Sequence, residues 1–423
     1  MSIKCYLTKK SFLFLIVLFL FRVNCYADTA EEYFNHGKAF YKQGNYDNAI
    51  LAFNKAIEFN PNSLNAYYDR GLAYAHKNNW EQAISNYSKV IELNPKDAAT
   101  YSLRAAAFRH KGNLDQAIAD YSKSIELFPN NFFAYGDRAD VYSLKGDYDQ
   151  VILDCTKAIG LNPKDTYAYD HRAAAYHHKG NLDQAIADYS KSIELVPNNS
   201  FVYVDRAYVY SLKGNYDQAI FDCTKAIELN PKDAATYSLR AAAYRYKGNL
   251  DLANSDYTKV VELVPNDAHA HEAYVNLGIA NIKKGNLNQA IDYFNKAIIS
   301  KPNDVFAYES RGFIYFKKND YDKAIADCER IIKIKPNHLG VYNNLGIIYG
   351  KQGKFNEAIS NFTKAIEINP NSSYSYFERA VTYYHLKQYD KAWADVHKAQ
   401  QIKLMSVDLK FLKDLEKSSG RNQ

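Results

Sequence analysis

All ten prolines of this 423-residue chain lie on one regular grid, and this grid constrains the fold more than any other feature of the sequence. Successive prolines are 34 residues apart, except for one interval of 37 residues. Because proline lacks a backbone N–H and cannot continue a helix, each one marks the end of a structural unit. Repeats of this length are typical of solenoid proteins, whose units pack only on their neighbours. The prolines are Pro61, Pro95, Pro129, Pro163, Pro197, Pro231, Pro265, Pro302, Pro336 and Pro370.

The segments between prolines each predict two amphipathic helices. A Gly or Asn follows the first helix in ten of eleven units, with Lys387 as the exception, and these residue types tolerate the left-handed conformation that closes a helix. The units are also copies of one another: residues 104–127 return at 172–195 with two changes. This spacing of 68 residues indicates that a block of two units was duplicated.

The first unit, AEEYFNHGKAFYKQGNYDNAILAFNKAIEFNPNS, resembles the tetratricopeptide repeat (TPR) family at its aromatic, Gly, Ala, Phe and Pro positions. Tyr occupies the fourth position of every unit, from Tyr33 to Tyr376. The chain resembles TPR proteins of the bacterial exported type. This resemblance implies an all-α fold: a right-handed α-solenoid of eleven TPR helix-turn-helix units with a C-terminal capping helix. The predicted domains are a signal peptide (1–27), a TPR array (28–406) and a capping helix with tail (407–423). The units start near residues 30, 64, 98, 132, 166, 200, 234, 271, 305, 339 and 373.

The N-terminus differs in character from the repeats. Three lysines precede an unbroken apolar run from Phe12 to Phe21, and "CYA" comes just before Asp28. A basic head, a short apolar middle and small residues at the exit are typical of a secretory signal. We therefore expect cleavage after Ala27 and an exported protein, either periplasmic or secreted. The alternative is an uncleaved N-terminal membrane anchor, in which Arg22 reaches the membrane surface.

The charge of the chain argues against nucleic acid as a partner. Residues 1–27 hold four basic residues and no acidic one, so their removal lowers the net charge from +6 to +2. Binding to a phosphate backbone favours a dense basic stripe, which the repeats lack. A helical-repeat RNA binder is accordingly the less favoured alternative.

The sequence offers no cofactor, metal or catalytic site. Cys155, Cys223 and Cys328 each occupy the twenty-fourth position of a unit, where other units carry Phe, Tyr or Val. That position predicts small buried side chains rather than ligands or nucleophiles. No Gly-rich phosphate loop, nucleophile elbow or metal-ligand motif is present. We expect a non-enzymatic protein.

Two charged positions occur together in the units. Arg stands at the seventh position in eight units, and seven of these carry Asp at the twenty-third position. The three units without the Arg also lack the Asp. We therefore predict structural ion pairs between the two helices, within a unit or to its neighbour. The pairs put forward are Arg104 with Asp120, Arg172 with Asp188, and Arg240 with Asp256.

In the TPR family, the second, fifth, ninth, twelfth and thirteenth positions of the first helix line a concave face. The resemblance implies that aromatic and basic residues at these positions contact a partner, because such residues are typical binding anchors. Packing between neighbouring units is the other interpretation for each of them. The predicted partner-binding residues are Tyr68, Phe133, Tyr167, Phe201, Tyr208, Arg109, His110, His177, His178, Arg245, Phe306 and Phe313.

The function implied is a scaffold that binds a protein or peptide in the concave face of a TPR superhelix. A host-directed secreted effector that uses the same face is an alternative. Membrane contact is expected only if the N-terminal segment remains uncleaved.

Overall fold

The computed structural model describes residues 29–402 and 409–420, and all regular secondary structure in these ranges is α-helical. Helices α1 to α22 form eleven consecutive pairs, which we number repeats 1 to 11, and α23 follows them. The first helix of a pair is its A helix and the second its B helix. The predicted all-α fold of helix-turn-helix repeats with a C-terminal helix is confirmed.

The A helices are α1 (Ala30–Lys42), α3 (Leu64–His76), α5 (Ala98–His110), α7 (Phe132–Lys145), α9 (Thr166–His178), α11 (Ser200–Leu212), α13 (Ala234–Tyr246), α15 (Ala268–Lys283), α17 (Val305–Lys317), α19 (Leu339–Lys351) and α21 (Ser373–His385). The B helices are α2 (Tyr46–Phe59), α4 (Trp80–Leu93), α6 (Leu114–Leu127), α8 (Tyr148–Leu161), α10 (Leu182–Leu195), α12 (Tyr216–Leu229), α14 (Leu250–Leu263), α16 (Leu287–Ser300), α18 (Tyr321–Ile334), α20 (Phe355–Ile368) and α22 (Tyr389–Gln401). The last helix is α23 (Leu409–Ser419). Contacts group the chain into an N-terminal part that ends at Val209 and a C-terminal part that begins at Tyr210.

The turn inside each pair has a left-handed residue at its centre. Gly fills this position in most repeats, and Asn78 and Asn319 adopt φ of 56° and 58° in two others. Lys387, which departs from the Gly or Asn pattern, also adopts a positive φ of 58°. The geometry of the repeat therefore imposes the left-handed turn even on a residue with a bulky side chain, for which this conformation is unfavourable.

One contact recurs in the core between the A and B helices of a repeat. In four repeats, Gly at the eighth position of the A helix lies beneath the aromatic ring at the twenty-fourth position, on the B helix. A Cβ atom added to Gly37 would lie 2.4 Å from Cε1 of Phe53, so the ring occupies the space that a side chain would need. Cys155, Cys223 and Cys328 fill the twenty-fourth position in three repeats and are buried free thiols.

The proline interval of 37 residues corresponds to a longer helix. Helix α15 has 16 residues, whereas α13 and α17 have 13. The extra residues extend α15 at its N-terminus, where Asp267 caps it by accepting a hydrogen bond from the backbone N–H of His269 at 2.9 Å. The insertion therefore adds helix rather than loop.

Helix α23 covers the end of the C-terminal part. Leu412 and Leu415 are buried against a cluster that includes Trp393 of α22. The indole N–H of Trp393 donates a hydrogen bond to Oγ of Ser419 at 3.1 Å. This packing shields the apolar face of the last repeat, which a solenoid needs for solubility.

The predicted signal peptide lies outside the described residues. Across residues 29–402 and 409–420, no helix combines the length and the apolar character needed to cross a membrane.

Candidate partner-binding surface

A repeated ion pair joins the A helix to the B helix in several repeats. In repeat 5, Nε of Arg172 lies 2.7 Å from one carboxylate oxygen of Asp188 and Nη2 lies 2.8 Å from the other. The side chains are only 17% and 10% exposed. The same two-point contact joins Arg104 to Asp120 and Arg240 to Asp256. Further copies are Arg138 with Asp154, Arg311 with Asp327 and Arg379 with Asp395.

The same arginines also bind the preceding repeat. Nη1 of Arg172 donates a hydrogen bond to Oγ1 of Thr156 in repeat 4 at 2.9 Å, and Arg104 reaches Oγ of Ser88 at 3.0 Å. One guanidinium therefore joins three helices, which suits its planar array of donors. Repeat 2 uses amides instead, since Arg70 donates to Asn86 and Asn54.

Aromatic side chains on the A helices of the N-terminal part face solvent. Phe133 is 67% exposed and Phe201, at the equivalent place one block later, is 74% exposed. Tyr167 and Tyr208 are more than two-fifths exposed. We call these four residues the aromatic row. Their rings are available for contact with another molecule, whereas Tyr68 is half-buried and lies near the ring of Tyr87.

A charged network joins the neighbouring A helices α5, α7 and α9. Nη1 of Arg109 is 2.5 Å from one carboxylate oxygen of Asp140, and Nδ1 of His171 is 3.1 Å from the other. Burial raises the pKa of the neighbouring Asp137 carboxyl to about 6. The predicted binding residue Arg109 thus has its charge paired within the protein. The sequence prediction did not include Asp137, Asp140 or His171.

The structure places His110 and His178 at junctions between repeats, where both remain exposed, and their role in partner binding stays a prediction. His110 stacks on Trp80 with ring centres 4.2 Å apart, and His178 stacks on Tyr148 at 4.6 Å. Each thirteenth-position ring therefore covers the ring that begins the preceding B helix. Equivalent stacks join Tyr46 to His76, Tyr216 to Tyr246 and Phe355 to His385. His177 is different, because it meets the exposed Tyr208 edge-on at 5.5 Å.

The C-terminal part holds an apolar pocket at repeat 9. Its volume is about 190 Å³, and its floor includes Gly312, Cys328 and Ile331. The rim includes Phe313, which is half exposed. Phe306 is also half exposed on the same helix.

The pocket follows from two small residues that face each other. Gly at the eighth position is covered by a ring in four other repeats, for example Gly346 beneath Phe362. In repeats 4 and 6, Cys stands opposite Ala instead. Repeat 9 alone combines Gly312 with Cys328, so neither side fills the space. A comparison of these two positions across the repeats could have revealed the pocket from the sequence.

Arg245 lies in the C-terminal part and lines a second, larger cavity beside Tyr257 and Ile279. Among the described residues, no group of three or more His, Cys, Asp or Glu side chains is arranged to hold a metal ion.

Models of the tetratricopeptide repeat match residues 64–97, 98–131, 166–199, 200–233, 305–338 and 341–372. Further models of this family match residues 37–78, 121–152, 238–305 and 361–394. The chain belongs to the tetratricopeptide repeat family. Its repeats support a role as a protein–protein interaction scaffold.

Solved structures similar to the chain include MamA, which is 26% identical over 38% of this chain and 93% of that one, with a TM-score of 0.37. YrrB, described as a TPR protein with an unusual peptide-binding site, is 23% identical over 46% of this chain and 98% of that one, with a TM-score of 0.40. Yeast Tom70 is 17% identical over 92% of this chain and 96% of that one, with a TM-score of 0.36. Comparison with curated protein sequences gives no match.

Proposed function

We propose that this TPR protein is a non-enzymatic scaffold that binds a protein or peptide segment along the A helices of its N-terminal part. The observation that carries this proposal is the exposure of the aromatic row. Phe133 and Phe201 are among the most exposed large apolar side chains of the protein. Apolar rings on a surface that is otherwise polar are typical of interaction sites, since each can bury a large area when a partner binds.

Two features support an extended partner over a small ligand. Phe133 and Phe201 occupy equivalent positions 68 residues apart, so the duplicated block presents the same ring twice. Tyr208 is exposed on α11, which also carries Phe201, and Tyr167 is exposed on α9, between α7 and α11 in the chain. Several weak contacts on one partner reinforce each other, because the first contact raises the effective concentration for the second.

The test compares two double variants of the purified protein. Phe133→Ala with Phe201→Ala removes two rings of the aromatic row. Leu51→Ala with Leu153→Ala is the matched control, because both leucines are about 60% exposed but lie on B helices. A partner captured from the native host is identified and purified, and its dissociation constant is measured with each variant.

We expect the Phe variant to bind the partner at least tenfold more weakly, which corresponds to about 1.4 kcal/mol. The Leu variant should bind as the wild type does. Unfolding of both variants should change little, because neither removes a buried side chain. Equal affinity of all three proteins would show that the partner binds elsewhere.

We also propose that the protein is exported and that its signal peptide is removed. The basic head, apolar run and small exit residues before Asp28 support this. The intact mass of the protein from its native host should correspond to a chain that begins at Asp28. A full-length chain that resists carbonate extraction from membranes would establish an N-terminal anchor instead.

A further inference from the structure

Repeats 3 and 7 have almost the same A helix, AATYSLRAAAFRH and AATYSLRAAAYRY, but the repeats that follow them differ. In the N-terminal part, Arg109 of repeat 3 forms an ion pair with Asp140 of repeat 4. The buried Tyr121 of repeat 3 lies within the electrostatic reach of Arg109, Asp137 and Asp140. Repeat 4 thus supplies two carboxylates to the arginine and tyrosine of repeat 3.

Repeat 8 supplies neither carboxylate to repeat 7. The positions of Asp137 and Asp140 are occupied by Asn276 and Ile279. Arg245, the counterpart of Arg109, has no ion pair among the described residues. Its guanidinium lies over the ring of Tyr246, 5.1 Å from the ring centre, and close to the hydroxyl of Tyr257. Repeat 7 therefore keeps the arginine and the tyrosine, as Arg245 and Tyr257, whereas repeat 8 lacks the two aspartates that face their counterparts in repeat 3.

The tyrosine of this site has a buried hydroxyl beside the Arg245 guanidinium. Tyr257 is 1% exposed, and its hydroxyl oxygen forms no well-aligned hydrogen bond within residues 29–402 and 409–420. A buried polar group without a partner is costly, so such a group indicates a missing ligand or water. Burial and the negative charge of Glu272 raise the pKa of this hydroxyl to about 12, and the charge and hydrogen bonding of the nearby Arg245 guanidinium oppose the rise. The hydroxyl is therefore protonated at neutral pH and can donate a hydrogen bond.

The two groups face one open space. Arg245, Tyr257, Asn276 and Ile279 all line a cavity of about 640 Å³. Lys283 and Lys284 also line it, and Lys284 lies 3.3 Å from the Asp251 carboxylate. Arginine and lysine side chains outnumber acidic ones in this lining, so the cavity favours a negatively charged occupant.

We propose that this cavity binds a carboxylate group of a protein partner, which takes the place that Asp140 occupies between repeats 3 and 4. The guanidinium of Arg245 provides charge-assisted hydrogen bonds, and the hydroxyl of Tyr257 donates a further one. The Asn276 amide nitrogen donates one N–H to the backbone carbonyl of Glu272 at 2.9 Å, and its second N–H is a third donor on the same wall. This inference rests on the proposed scaffold function and adds the chemistry of one contact.

The experiment uses fluorescein-labelled hexaglutamate as the probe and hexaglutamine as its uncharged control. Fluorescence anisotropy at low ionic strength measures binding to the purified protein and to its variants. Ile279→Asp restores within the chain the carboxylate that Asp140 supplies to Arg109. We expect this variant to bind hexaglutamate at least tenfold more weakly than the wild type, because its own carboxylate occupies Arg245.

Two further variants keep the test decisive if Ile279→Asp disturbs folding. Tyr257→Phe removes only the hydroxyl, and we expect at least threefold weaker binding of hexaglutamate. Glu272→Gln removes the acidic group that faces Tyr257, and we expect tighter binding. Hexaglutamine should not bind measurably to any of these proteins.

A gain of binding provides the converse test. Asp140→Ile removes the ion-pair partner of Arg109 and so copies the natural situation of Arg245, which has Ile279 at the equivalent position. This variant should therefore bind more hexaglutamate than the wild type. If Ile279→Asp and Tyr257→Phe both bind hexaglutamate as the wild type does, the carboxylate site does not exist. These measurements need no captured partner. The variants of Ile279, Tyr257 and Glu272 replace neither a residue of the aromatic row nor Asp140, which hydrogen-bonds to Tyr167, so their failure is distinct from a failure of the proposed scaffold function.

Discussion

Replacement of Asp188 by Asn tests whether the repeated ion pair stabilises the array through charge or through hydrogen bonds alone. The substitution copies a natural variant within the chain, because Arg70 of repeat 2 faces Asn86 with its Oδ1 at 2.7 Å from Nε. In repeat 5, Arg172 makes two contacts with the carboxylate, at 2.7 and 2.8 Å. Asparagine can accept only one of these, since its amide nitrogen is a donor.

The expected magnitudes follow from burial. Asp188 is 7% exposed, so removal of Arg172 leaves a buried carboxylate without its partner, which costs about 3 to 5 kcal/mol of the free energy of unfolding. Asp188→Asn loses one hydrogen bond to a charged group, which is worth about 1.5 to 3 kcal/mol. In a cycle of Arg172→Ala and Asp188→Ala, the coupling energy should lie between about 0.5 and 3 kcal/mol.

Urea denaturation at pH 7, followed by helical circular dichroism, measures these quantities. The slope of the unfolding free energy against urea must stay constant among the variants, because a changed slope indicates separate unfolding of part of the array. The control cycle uses Lys191 and Glu194, an exposed pair on α10 with atoms 2.7 Å apart, whose coupling should be below about 1 kcal/mol. Strictly additive effects of the Arg172 and Asp188 substitutions would refute the reasoning.

Three other predictions concern buried groups. Burial raises the pKa of the Asp137 carboxyl to about 6, so its contribution to the free energy of unfolding is favourable at low pH and is lost as the pH rises through that value. Asp137→Asn should therefore stabilise the protein against urea at pH 7.5, and less so at pH 4.5. Burial raises the pKa of the Cys155, Cys223 and Cys328 thiols to about 12, so an aromatic disulfide reagent at pH 7 should react with them much more slowly in native protein than in urea. Cys328→Phe should raise the unfolding temperature, because its ring fills the pocket above Gly312; an unchanged or lower temperature would show that the pocket cannot accept it.

The fold could be predicted from the sequence because its signals are local and repeated. Prolines end the repeats, and left-handed residues close each A helix. The pairing of Arg and Asp was also visible, since the two residue types occur in the same repeats. The geometry of the arginine contacts was not visible. The hydrogen bond from Arg172 to Thr156 joins adjacent repeats, and no pattern in the sequence linked these two residue types.

The binding surface was harder to predict, because position within a helix does not determine what a side chain meets in the next repeat. His110 and Arg109 are neighbours on α5, both predicted to contact a partner. The ring of His110 stacks on Trp80 of the preceding repeat, whereas Arg109 pairs with Asp140 of the following one. Both outcomes depend on residues about 30 positions away, which a family pattern within one repeat does not describe.

The same dependence explains how duplicated repeats acquire different sites. Repeats 3 and 7 have nearly identical A helices, so the interior of each pair remains folded without new compensation. Arg109 is neutralised by Asp140, but Arg245 faces Ile279. Changes at the Asp137 and Asp140 positions of the neighbouring repeat therefore leave Arg245 without the ion pair that Arg109 has, while the Arg–Asp pair inside repeat 7 stays at 2.8 Å. In such an array, binding sites can diverge at the junctions between repeats because the contacts that hold each helix pair together lie within the repeats.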